Sequence, residues 1–110
     1  MLTAQFSHEV NDHLTELQNL YAAGAPNGLL RPVSDPRFSL PGSGYYWEVF
    51  REGAPALRSP SLEGRDLRVE SRKNHALRGG IAGSAEPLRL FERTSQLPGS
   101  VAPVYFLMGA

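Results

Sequence analysis

Leu2, Phe6, Val10, Leu14, Leu17 and Tyr21 stand at steps of four, four, four, three and four residues, the spacing of one face of an α-helix. No other feature constrains the fold as strongly. The stripe asks for an amphipathic helix over about Thr3–Ala23 with one side covered, and His8, Glu9, Asp12, Glu16 and Gln18 take the remaining faces. Gly24, Pro26 and Asn27-Gly28 should end it, since glycine takes a left-handed cap and proline cannot continue the ladder.

Beyond Gly28 the pattern changes. Residues 28–44 are rich in proline with little periodicity and read as an ordered loop. Tyr45–Arg51 is aromatic and β-branched between Gly44 and Gly53, which reads as a strand. Arg51–Pro55 turns the chain and Ala56–Ser59 returns it as a hairpin. Leu67–Glu70 reads as a short strand, and Lys73–Ala85, with Gly79, Gly80 and Gly83, as the most mobile loop. Leu88–Ser95 sets Leu88, Leu90 and Glu92 on one face and Arg89, Phe91 and Arg93 on the other. Pro98-Gly99 turns into Val104–Met108, an apolar central strand. The expected class is α+β: a long N-terminal helix packed on a four- to five-stranded antiparallel sheet.

At 110 residues the chain fits one domain, residues 1–110. Folding at this size buries roughly 65% of the unfolded surface, enough for one modest core. Eleven basic side chains balance eleven acidic ones, which argues against a nucleic-acid partner, because displacing counterions from phosphates needs surplus cations. The absence of cysteine excludes disulfides, thiolate zinc sites and cysteine nucleophiles. No run reaches the roughly 18–20 apolar residues that span a bilayer. The chain opens in a helical pattern and closes in an apolar strand pattern, as a segment of a longer protein would.

Catalytic motifs find little support. His8 and His13 are five apart, about 140° around a helix, so they miss the four-residue spacing of a zinc protease. Solvated helix polarity is the better reading of both, and no metal site is expected. Gly79-Gly80-Ile81-Ala82-Gly83 lacks the strand before and the helix with Lys-Ser/Thr after that make a phosphate cradle. His75 has no evident carboxylate partner, and no serine stands in a nucleophile elbow. The aromatic group Tyr45, Tyr46, Trp47 and Phe50 reads first as core. Its functional alternative is a pocket wall of Tyr46 and Trp47, with Arg58 or Arg89 meeting an anionic group.

Asp35-Pro36-Arg37-Phe38, Pro41, Ser43-Gly44 and Tyr46-Trp47, followed by Leu57-Arg58-Ser59 and Ser61-Leu62, resemble a pattern of bacterial sensor histidine kinases of the group similar to the magnesium sensor of enterobacteria. Pro87-Leu88-Arg89, Arg93 and Leu97-Pro98-Gly99 resemble its late hairpin. Phe6, His13-Leu14 and Glu16-Leu17 are similar to the segment leaving the first membrane helix. Glu48 departs from the glutamine usual after the tryptophan, and Gly64–Ala85 matches nothing in the pattern. With no acidic run, metal sensing is not implied.

The resemblance implies a PAS-like extracytoplasmic sensor domain on the periplasmic face of the inner membrane, joined to membrane helices at both ends. It implies a homodimer, an unidentified small-molecule or ion signal, and a kinase core elsewhere in the protein. That core would use ATP and Mg to phosphorylate itself and then a response regulator; the segment itself needs no cofactor. Leu2, Phe6 and Val10, beyond the reach of the sheet, would form an exposed stripe for the dimer contact. A stand-alone small-molecule-binding or protein-interaction domain is the alternative.

Overall fold

The stripe folds as a helix: α1 spans Leu2–Gly24. The computed structural model describes residues 2–24, 28–73, 76–84, 86–96 and 102–109. The chain divides into two compact units, Met1–Ser34 and Asp35–Ala110. In the first, Val10, Leu14, Leu17, Leu20 and Tyr21 are buried, the one-sided pattern that the spacing demands. The chain then doubles back along α1. Leu30 N–H donates to the Leu20 carbonyl at 3.0 Å, Ser34 N–H donates to Glu16 Oε2 at 3.2 Å, and Val33 is buried. Gly24 ends the helix for a different reason from the one expected. It is not among the positive-φ residues, but a Cβ there would lie 2.6 Å from Leu30 N and 2.7 Å from Leu29 C. Close approach of the returning backbone, not a left-handed cap, calls for glycine.

The second unit is a six-stranded sheet, antiparallel at every pairing, in the order β2-β1-β6-β5-β4-β3. Its strands are β1 (Tyr46–Arg51), β2 (Leu57–Arg58), β3 (Leu67–Lys73), β4 (Ala76–Ile81), β5 (Leu88–Ser95) and β6 (Val104–Gly109). Two 3-10 turns, Pro36–Ser39 and Pro60–Leu62, precede β1 and link β2 to β3. The α+β class stands, and β6 lies between β1 and β5 as an interior strand. The strand count does not stand, because Ala76–Ile81 of the expected glycine loop form β4. Gly79 sits in that strand because a Cβ would fall 1.8 Å from the Arg68 carbonyl oxygen and 2.7 Å from Leu90 Cδ1. The glycine marks close packing rather than a turn. Residues 74, 75 and 85 of that expected loop, and the Pro98-Gly99 turn, lie outside the described residues.

One face of the sheet carries a core of Tyr46, Leu67, Ile81, Leu88, Leu90 and Leu107, joined by Leu62 from the second 3-10 turn. Burying each such side chain contributes about 1.5–3 kcal/mol. A Cβ on Gly109 of β6 would lie 3.7 Å from Leu67 Cδ2 of β3, although β5 and β4 separate the two strands. The sheet is therefore curled around this face. Trp47, Val49, Phe106 and Met108 alternate onto the opposite face and are also buried. Among the described residues, no helix is long and apolar enough to cross a membrane.

Candidate functional site

The segment that opens the second unit is organised by side chains bonding nearby backbone. Asp35 caps the first 3-10 turn, accepting from Arg37 N–H at 3.0 Å, with Pro36 preset for the first helical position. Arg37 Nε donates back to both Asp35 carboxylate oxygens at 3.0 and 3.1 Å. The guanidinium lies 3.9 Å from the centre of the Tyr45 ring, a cation–π contact. Phe38, 1% exposed, meets the same ring edge-on at 5.7 Å. Ser43 Oγ donates to the Arg37 carbonyl at 2.6 Å and accepts from Tyr45 N–H at 3.2 Å.

Two buried serines complete this knot. Ser61 Oγ donates to the Tyr45 carbonyl at 2.7 Å, and Ser59 Oγ accepts from Trp47 N–H at 3.1 Å. The hydroxyls are 2.8 Å apart. Since Ser61 spends its proton on Tyr45, Ser59 donates to Ser61, and each buried hydroxyl is satisfied. Bonded to backbone and to each other, the pair orders this stretch of chain.

Next to the knot lies the most unusual ionisable group. Glu48 is only 8% exposed, on the same sheet face as Tyr46. Its Oε2 accepts from Arg58 Nε at 3.0 Å, directly across the β1–β2 pair. Arg58 also binds the carboxylate of Asp66. Burial pushes the Glu48 carboxyl above its ordinary range, the pull of Arg58 opposes this, and the Asp66 charge adds to the rise. The Glu48–Arg58–Asp66 cluster thus ties β1 and β2, at one end of the sheet order, to Asp66, the residue before β3 at the other.

The proposed pocket residues do not form one wall. Tyr46 and Trp47 are neighbours on β1 and point to opposite faces, both buried. Arg58 lies on the Tyr46 face with its charge already engaged by two carboxylates. Arg89 is exposed on the opposite face, directly across from Arg78 of β4. Phe50 is 46% exposed and stacks at a tilt on Tyr105, 6.2 Å between centres. Of the expected dimer stripe, Val10 needs correction: it is 2% exposed and so already covered within the single chain, leaving no apolar area there for a second copy. The side chains of Leu2 and Phe6 lie outside the described residues. On α1, His13 Nε2 lies 3.6 Å from Glu9 Oε1.

Sequence reading missed the Glu48 cluster. Its signal was a carboxylate and a guanidinium on facing strands of a hairpin, and it is visible only once register is known. No family model, curated protein or solved structure matches the chain.

Proposed function

We propose that this chain is the signal-sensing domain of a bacterial membrane sensor histidine kinase, held on the periplasmic face of the inner membrane. One observation carries the reading. Of the residues between Asp35 and Leu62 that resemble the sensor-kinase pattern, Asp35, Arg37, Ser43, Trp47, Ser59 and Ser61 are not scattered but members of one bonded knot around Tyr45. A resemblance borne by residues that cooperate in one substructure is worth more than the same matches spread over unrelated surfaces. The PAS-like type is part of the proposal. It is supported by the strand order, with the opening hairpin at one edge and the last strand beside the first.

On this reading the domain catalyses nothing. It biases a homodimer between two arrangements, and a signal acts only by binding them with different affinity. A kinase core elsewhere in the protein would use ATP and Mg, phosphorylate a histidine and pass the phosphate to a response regulator. The test is the full-length gene product in membrane vesicles supplied with labelled ATP. Acid-labile phosphohistidine whose rate changes when residues 35–96 are replaced is the expected result. A product lacking apolar spans around this domain, or one that takes up no label, would overturn the proposal in favour of a stand-alone binding domain.

A further inference from the structure

Charge is not treated alike on the two faces of the sheet. On the Tyr46 face Arg58 is held by Glu48 and Asp66, and before β1 Arg37 is held by Asp35. The opposite face carries arginines without such partners. Leu77 and Leu90 pair across β4 and β5 and pack in the core of the Tyr46 face, so the next pair along, Arg78↔Arg89, alternates to the other side. Both residues are exposed, and among the described residues neither guanidinium has an acceptor or an ion-pair partner. Arg68 of β3 joins them. Its neighbour Leu67 pairs with Ile81 in the core, so the exposed Arg68, directly across from Gly80, shares the face of Arg78 and lies diagonal to it.

Directly opposite side chains in an antiparallel pair have Cβ atoms about 4.5–5.5 Å apart, and diagonal neighbours about 7–8 Å, within reach of long side chains. Gly80 puts no side chain between Arg68 and Arg78. Like charges directly opposite each other destabilise a strand pair. The Arg78–Arg89 pair therefore costs stability unless an anion lies between the two. The acids that come near do not supply it. Glu70 is 3.6 Å from Arg68, with both side chains largely exposed. Glu86 has its carbonyl 3.2 Å from where a Gly80 Cβ would stand, but its exposed side chain pairs with none of the three arginines.

We propose that Arg78 and Arg89, with Arg68 beside them, form a binding site for a compact, doubly charged oxyanion: the phosphate monoester group of a soluble molecule. Guanidinium forks match phosphate oxygens two at a time, and these charge-assisted bonds are the stronger kind. One dianion balances two facing cations, which favours a monoester over the singly charged diester of a phospholipid. The close spacing of the pair favours one compact group over an extended acidic peptide. The site stands on strand register and exposure, and does not depend on the sensor reading.

The experiment titrates the folded 110-residue chain with inorganic phosphate at about pH 8 and constant ionic strength, following the arginine Nε–Hε signals by NMR. Expected is a saturable shift of Arg78 and Arg89 with one shared midpoint. Sulfate, a second tetrahedral dianion, should reproduce it, and acetate should need a concentration about tenfold higher. Arg78→Gln and Arg89→Gln should each weaken phosphate binding about tenfold, the loss of one charge-assisted contact. Arg31→Gln, on the first unit, should leave the midpoint unchanged. Shifts that never saturate, an equal response to acetate, or a midpoint that both glutamine variants leave in place would overturn the site. Binding to phosphatidylglycerol vesicles with no response to phosphate would overturn it too. The comparison of phosphate with acetate on the wild-type chain decides the matter even if a variant fails to fold.

Discussion

Between Asp35 and Leu62 the chain is held by side chains that bond backbone: Asp35 to Arg37, Ser43 to Arg37 and Tyr45, Ser59 to Trp47, Ser61 to Tyr45. The β3–β4 hairpin instead rests on its backbone ladder, with a register shift between Val69 and Ser71 and with Arg68, Val69 and Glu70 exposed on the edge strand. A bulged, charged edge resists pairing with other chains, which an outer strand needs. The first region spends polar side chains on fixing one irregular backbone path. The second spends them on solubility and meets the core through Leu67, Ile81 and the space left by Gly79. Similar polar content therefore does different work, and the difference lies in burial.

The contrast can be broken most severely at Phe38. Phe38→Ala empties a site that is 1% exposed and should cost about 3–5 kcal/mol in urea unfolding. A loss under about 1 kcal/mol would place the knot outside the cooperative core. The hairpin should show a smaller sensitivity where its two strands approach most closely. Gly79→Ala forces a methyl against the Arg68 carbonyl and Leu90, and should cost about 1–3 kcal/mol. A neutral result by thermal melting would mean that β3 and β4 separate freely. Arg68→Ala, on the exposed edge with only a 3.6 Å contact to Glu70, should change stability by no more than about 0.5 kcal/mol. A larger loss would show that the edge charges hold the hairpin, and the comparison would then fail.

The sequence by itself determined the helix, the β1 hairpin, β5 and β6, because each carries a local period or a turn signal that needs no partner to be read. Leu2 to Tyr21 repeat at helical steps, and Leu88, Leu90 and Glu92 alternate with Arg89, Phe91 and Arg93. Asp35-Pro36, Ser59 and Ser61-Leu62 stood out in the sequence only through the resemblance they carry. Only the tertiary structure decided the rest. Gly79 reads as a loop until the Arg68 carbonyl is found where its Cβ would stand, and Gly24 reads as a left-handed cap until Leu29 and Leu30 return against it. Glu48 stands out in the sequence only as a departure from the usual glutamine until the β1–β2 register sets Arg58 opposite it. Local periodicity is written residue by residue along the chain. Close approach and burial belong to pairs of residues far apart in it, and exist only after the strands have met.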